Sequence, residues 1–376
     1  YTGGNTIDGY GITGTESSSD SDTMDYSVLS DNTNSISVDL NTLDTNGFAT
    51  VDFTDSNISD DLLKSIENVT GTAGNDTLIG RDSTNNTLIG GSGSDFLMGR
   101  SGNNYLDGGD GSLGNYVSYG YVGSSNNVVV DLTNQTANVV GSGYSDTIRN
   151  IQNAIGGAGS DTIIGSGAQN TLIGGDGADK FVMMGEIGDT VYAGNWDGST
   201  HTDTSTQDSI DYSSYNNQVI VNLTSQTAKV DLSNNNFASG TKDDTFFGIE
   251  NVIGTSFADT ITGGAGINTI HAGLGSDIIY AGSGADIIYG EAGDDTIYMQ
   301  SVANSASNFV DGGTGFDLVD YSGLDQRVVI NMQGVTNVDV QVGNTANHHT
   351  ITSIENIVGT NQDDTITGSD GVNTFV

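Results

Sequence analysis

The sequence predicts an all-β chain wound into a parallel solenoid. Three observations predict it: a nine-residue repeat held in register, a composition rich in glycine with acids that are nearly all aspartate, and the absence of proline. The 376 residues include 55 glycines, no proline and no cysteine. Of the 48 acidic residues only Glu16, Glu67, Glu186, Glu250, Glu291 and Glu355 are glutamates, and 8 lysines and arginines leave a net charge of −40. Solubility would be served by either acid, so the preference for the shorter one points to carboxylates placed in tight turns. Ordinary chains carry about 5% proline, and its absence suits backbone that is hydrogen-bonded nearly everywhere.

The repeat is clearest from Gly254 to Tyr298. Gly254-Thr-Ser-Phe-Ala-Asp259-Thr-Ile-Thr is followed by units beginning at Gly263, Ala272, Ala281 and Gly290, five in all without a gap. Shorter arrays start at Gly71, with one extra residue in the unit after Gly80, at Gly156 through Val182, and at Gly359 through Val376. Six residues of each unit suit a turn, where glycine gives positive φ and close backbone approach cheaply, and three suit a strand with an aliphatic side chain turned inward. Two turns close one coil, so side chains nine apart fall on opposite edges and those eighteen apart stack along one edge.

A longer period groups the arrays into modules. Ser65-Ile-Glu-Asn-Val, Asn150-Ile-Gln-Asn-Ala, Gly248-Ile-Glu-Asn-Val and Ser353-Ile-Glu-Asn-Ile each open into an array. A strand-like stretch precedes each marker: Ile36–Leu40, Val128–Leu132, Val219–Leu223 and Val328–Met332. The modules expected are 26–115 (array 71–112), 116–210 (array 156–182), 211–319 (array 254–298) and a truncated 320–376 (array 359–376), after a partial unit over 1–25.

These units resemble the glycine-rich nonapeptide G-G-x-G-x-D-x-U-x of the RTX family of secreted bacterial proteins. The resemblance covers every array and implies a β-roll solenoid, calcium as the bound ion, and type I secretion to the cell exterior. Departures are asparagine at the sixth position (Asn86, Asn104, Asn170, Asn268, Asn373) and broken glycine pairs such as Gly71-Thr72 and Gly99-Arg100.

The chemistry of the sixth position stands beside the resemblance. Aspartates stacked at about 4.8 Å repel unless a cation lies between them. Asp76, Asp95, Asp161, Asp179, Asp259, Asp277, Asp286, Asp295 and Asp364 are the candidate metal residues. Calcium suits them because it takes six to eight hard oxygens in flexible geometry, whereas zinc calls for His or Cys. Asparagine offers only a neutral oxygen, so one edge should be rich in calcium and the other poorer, or else closed by an amide hydrogen-bond ladder. Four ions in the strict aspartate gaps would move the net charge only from −40 to −32. Without calcium, self-repulsion should keep the chain largely disordered. Asp39, Asp131 and Asp203 read as solvated charges or Asx turns. Tyr280, Tyr289 and Tyr298, at period nine, read as edge packing, with a sugar-stacking ladder as the other reading.

Several classes fall away. Eight scattered basic residues cannot form a nucleic-acid surface, and no apolar run approaches the roughly 20 residues that span a membrane. The only histidines are His201, His271, His348 and His349, with no His-Glu-x-x-His helix and no Gly-x-Ser-x-Gly elbow. Adjacent strand residues face opposite ways, which argues against His348 and His349 as a metal pair. The expectation is a non-catalytic, extracellular, calcium-dependent structural protein: a stretch of a surface layer, matrix filament or giant adhesin, able to associate end to end. The alternative is the calcium-binding tail of a secreted RTX enzyme or toxin. A carbohydrate or cell-surface partner is an open reading. The opening Tyr1-Thr2-Gly3-Gly4 reads as the start of a piece from a longer polypeptide.

Overall fold

The computed structural model describes residues 6–8, 21–29, 34–55, 59–110, 114–185, 188–196, 199–203, 205, 207–230, 243–300, 307–334, 336–343, 348–369, 371 and 373–376. Of the partial unit expected over 1–25, only 6–8 and 21–25 are among them. The described residues contain strands and turns but no helix, and hence none long and apolar enough to cross a membrane. The chain divides into two compact units, Tyr1–Gly177 and Ala178–Val376.

Each nonapeptide contributes a three-residue strand, and successive strands alternate between two parallel faces. In the first unit Thr77 pairs with Phe96 on one face and Thr87 with Tyr105 on the other. In the second, Thr260 pairs with Ile278 and Thr269 with Ile287. Partners are 18 residues apart, or 19 where the first array carries its extra residue, as a two-turn coil requires. The middle residue of each triplet enters the core: Leu78, Leu88, Leu97 and Leu106 in the first unit, and Ile261, Ile270, Ile279, Ile288 and Ile297 in the second, are fully buried. Each such side chain contributes about 1.5–3 kcal/mol. A unit supplies just one, so turn closure bears more of the stability than it does in a globular core.

The spacers are three-stranded antiparallel meanders inserted into one face of the solenoid. Val128–Asp131, Thr136–Val139 and Ser145–Arg149 pair antiparallel in sequence order. The first of them runs parallel to Thr162–Ile164 of the array that follows, and the last runs parallel to Tyr105–Asp107 of the array before. The same connection recurs from Ile36, from Ile220 and from Val328. Within each unit one meander enters each face, so the two faces gain strands equally. The markers turn the chain back into the array: Ser65, Asn150, Gly248 and Ser353 have φ of 55, 52, 79 and 52°, and the isoleucine after each is buried.

Candidate metal centre

The sixth-position side chains point inward. Asp76, Asp95, Asp161, Asp179, Asp259, Asp277, Asp286 and Asp295 are at most 2% exposed, a placement that only paired or coordinated carboxylates sustain. Asp364 is partly exposed. One oxygen of each carboxylate serves the backbone. Asp95 Oδ1 accepts the Asp76 N–H at 2.8 Å, Asp277 Oδ1 that of Asp259 at 2.7 Å, and Asp295 Oδ1 that of Asp277 at 2.8 Å. Asp286 Oδ1 accepts from Asn268 at 3.0 Å, and Asp317 Oδ1 accepts from Asp295 at 2.9 Å. The side chain thus replaces the strand ladder where the backbone turns.

What meets the second oxygen differs from place to place, and the sequence pattern alone does not separate the cases. The first aspartate of each array is closed by its own turn. Asp76 Oδ2 accepts the Thr72 N–H at 2.6 Å, Asp259 Oδ2 that of Thr255 at 2.6 Å, and Asp364 Oδ2 that of Thr360 at 2.6 Å, with the threonine hydroxyl adding a further bond. Asp161 Oδ2 accepts from the Gly157 N–H in the same way. These are the units whose leading glycine pair is broken in three of four cases, and threonine is the residue that breaks it. By contrast, Oδ2 of Asp95, Asp277, Asp286 and Asp295 is buried and accepts no hydrogen bond. Asp179 is equally buried, and its N–H donates to Asp208 Oδ1 at 2.6 Å.

Asparagine closes the column by itself. Asn104 Oδ1 accepts the Asn86 N–H at 2.9 Å, while Asn86 Nδ2 donates to the carbonyl oxygens of Arg81 and Gly99, each at 3.0 Å. Asn170 Nδ2 donates to Gln152 O at 2.6 Å and Asn268 Nδ2 to Glu250 O at 2.8 Å. The amide N–H group therefore satisfies the turn carbonyls that a cation would satisfy beside an aspartate. On these residues the amide ladder is the geometry observed.

A third closure was not read from the sequence. Asp61, Asp146 and Asp244, at the last strand of three spacers, take a hydroxyl on Oδ2 from Tyr26 (3.2 Å), Tyr119 (2.7 Å) and Tyr212 (3.0 Å), all three rings fully buried. In the fourth spacer His349 stands at that place beside Tyr321, ring centroids 5.9 Å apart, and neither the Tyr321 hydroxyl nor the two ring nitrogens finds a hydrogen-bond partner. Burial lowers the His349 pKa to about 4. The available signal was a tyrosine directly after the strand-ending Asp25, Ser118, Asp211 and Asp320.

Burial raises the carboxyl pKa values along the columns, and neighbouring carboxylates add to the effect. Asp95, Asp277 and Asp295 are pushed up to about 7; after desolvation the further causes are Asp76 for the first, Asp259, Asp295 and Glu291 for the second, and Asp317 and Asp294 for the third. Asp286, with asparagines on both sides of it in the column, rises to about 6 by desolvation. The space at Asp295 is lined by oxygen. A methyl group on Gly290 would meet Asp295 Oδ2 and, at 2.6 Å, the Gly312 carbonyl oxygen; one on Gly90 would strike Asp95 Oδ2. At Asp277 and Asp286 the leading residue is Ala272 or Ala281, and a methyl takes the place that glycine leaves open. Unpartnered carboxylate oxygens, turn carbonyls and no nitrogen or sulfur donors form a set that fits calcium.

The remaining candidates lie apart from the columns. Asp39 and Asp131 close Asx turns on Asn41 and Asn134. Asp203 accepts from the Ser205 N–H at 2.8 Å. His348 contacts Asp339 on the exposed side of a strand while His349 is buried on the other, so the two do not converge. Tyr280 stacks on Tyr298 at 4.9 Å, and Tyr289 on His271 at 4.6 Å; these ring faces cover one another.

A family model described as the RTX calcium-binding nonapeptide repeat (4 copies) matches residues 65–84, 82–112, 153–182, 253–288, 274–298 and 352–376. A search of curated proteins finds no match.

Proposed function

We propose, from the premise that this chain carries RTX calcium-binding nonapeptide repeats in every one of its arrays, that it is an extracellular structural stretch that folds when calcium fills its turns. The repeats form a non-catalytic β-roll, and calcium is their ion. The observation that carries the reading is the set of buried, unpartnered oxygens on Asp95, Asp277, Asp286 and Asp295. Bound there, calcium supplies positive charge between carboxylates and a partner for turn carbonyls. The protein's own part is to hold those oxygens in place through the Oδ1 ladder and to keep the core dry behind them.

A surface layer, a matrix filament or an adhesin suits a solenoid that recurs over the whole chain with spacers built into its faces. The repeat region of a secreted enzyme or toxin would use the same calcium chemistry. A calcium titration of the metal-stripped chain, followed by far-UV circular dichroism with magnesium as control, tests the reading. A calcium-specific gain of β-structure is expected. A β-spectrum indifferent to chelator would overturn it. Electron microscopy with calcium present tests self-association, for which filaments or sheets are expected and single particles alone would count against it.

A further inference from the structure

The first spacer differs from the other three in its hairpin loop. Nine residues, 40–48, join its first two strands, where the other spacers use four (132–135 and 223–226) or five (332–336). The longer loop is braced by its own hydrogen bonds. Asp44 Oδ1 accepts the N–H groups of Asn46 at 2.7 Å and Phe48 at 2.9 Å, and the Asp44 N–H donates to the Phe48 carbonyl at 2.8 Å. Asp39 Oδ1 accepts from Asn41 at 2.9 Å, and Gly47 takes a φ of 82° at the turn. A loop held in this way is shaped before any ligand arrives, as small-molecule sites usually are.

At this loop lies a cavity of about 150 Å³. Leu40, Ala49 and Leu63, all buried, and the half-exposed Leu43 line it, and Lys64 and Arg81 stand at it together. These are two of only eight basic residues in a chain of net charge −40. Lys64 holds its Nζ 5.3 Å over the Phe48 ring, a cation–π contact that places the ammonium beside the loop. The Arg81 guanidinium lies 4.0 Å from Glu67 Oε1, beyond hydrogen-bond length, while Glu67 Oε2 accepts the Asp22 N–H at 3.1 Å. No other module repeats the pair of cations: the residues at these two places are Arg149 and Ser166, Phe247 and Gly264, and Thr352 and Ser369. The long loop and the two cations therefore occur together, in the first module alone.

We propose that this pocket binds a small monocarboxylic acid with an apolar body of about benzene size, its carboxylate met by Lys64 and Arg81 and its body seated against Leu40, Leu43 and Leu63. A cavity of about 150 Å³ is large enough to admit benzene. Two cations at one hydrocarbon-lined space suit a ligand that is anionic at one end only, and a guanidinium presents paired N–H donors to a carboxylate. The charge of the whole chain narrows the class further. It repels anions in proportion to their own charge, so a single carboxylate is favoured over a phosphate or a polyanion. The pocket uses none of the column aspartates and adds an organic ligand to the calcium chemistry.

The test is a titration of the full chain with benzoate in excess calcium, followed by saturation-transfer difference NMR, with benzylamine and benzyl alcohol as cationic and neutral probes of the same size. Circular dichroism checks that each variant keeps its β-structure. Benzoate should bind saturably and roughly tenfold or more tightly than either control, the worth of a charge-assisted contact. R81Q and K64Q should each weaken benzoate by roughly tenfold, and L43W, which fills the space from the loop, should abolish binding. No saturable benzoate binding, or benzylamine binding as tightly, would overturn the site. So would benzoate binding that all three variants leave unchanged, because the ligand would then lie elsewhere. If sedimentation shows copies associated through Arg81, separating in R81Q but not on adding benzoate, the occupant is an acidic edge of a second copy and the small-acid assignment falls.

Discussion

At the scale of the residue, the decisive atom is the second side-chain oxygen at the sixth position. An aspartate there leaves Oδ2 to be met by something outside the backbone, whereas an asparagine brings its own donor. Asp95→Asn should therefore lower the number of bound calcium ions yet stabilise the metal-free chain, by about 1–3 kcal/mol, the usual cost of a buried unmet acceptor; urea unfolding in chelator would measure it. The tyrosine plugs allow a paired comparison. Tyr119→Phe strips Asp146 Oδ2 of its donor and should cost about 1–3 kcal/mol in calcium, while Tyr321→Phe, whose hydroxyl has no partner, should be close to neutral. Equal costs in urea denaturation would refute that distinction.

The raised carboxyl pKa values set the pH dependence, also at this scale. Asp95, Asp277 and Asp295 sit at about 7 in the metal-free fold, against about 3.9 for an unperturbed aspartate. The folded state then binds more protons than the unfolded one between those values, so stability falls as pH rises. The contribution is fully present below about pH 4 and lost as pH passes through about 7. In chelator, circular dichroism should show more β-structure at pH 5 than at pH 8. With calcium the order should reverse, since protons compete for the same oxygens.

At the scale of the element, a nonapeptide is a strand whose register is held from outside itself. Its triplet buries one side chain, and its ladder is continued around the corner by the carboxylate or amide of the next coil. Glycine matters where oxygen crowds the turn: Gly312 faces Asp317 Oδ2 at 2.6 Å from where a methyl would lie. Gly312→Ala should weaken calcium binding and loosen the neighbouring coil, visible as faster amide hydrogen exchange at Asp295 and Asp317. Unchanged exchange there would mean the corner tolerates the methyl. The left-handed Arg100 and Glu291, with φ of 61 and 74°, show that the second position of the glycine pair accepts a side chain at a conformational cost.

At the scale of the whole molecule, the modules are nearest-neighbour structures, and stability is approximately a sum over coils and their interfaces. Calcium-dependent unfolding should accordingly be broader than a single two-state transition, with the coils of residues 80–108, where Asn86 and Asn104 leave Asp95 as the one open carboxylate, outlasting those of 272–298, where Asp277, Asp286 and Asp295 are all open, when chelator is added. Hydrogen exchange followed through a chelator titration would resolve the order, and one concerted transition throughout would contradict it. The charge of −40 adds a general repulsion that salt screens.

Much of this was legible without coordinates. Period nine, the triplets Thr-Leu-Ile and Asp-Ile-Ile, and the aspartate at position six determine a parallel solenoid with inward carboxylates, because each is a local demand of turn or strand that repeats unchanged. The tertiary structure alone decided which carboxylates are open. Asp161 and Asp95 both follow an intact glycine pair, yet the Gly157 N–H closes the first while Oδ2 of the second meets no donor. It also decided that spacers enter the faces as meanders, that Tyr26, Tyr119 and Tyr212 plug the columns, and that Glu250 and Glu355 meet Asp208 and Asp317 from about 40 residues away. Those contacts depend on which coil lies above which, and only the folded stack brings such distant groups within hydrogen-bond reach.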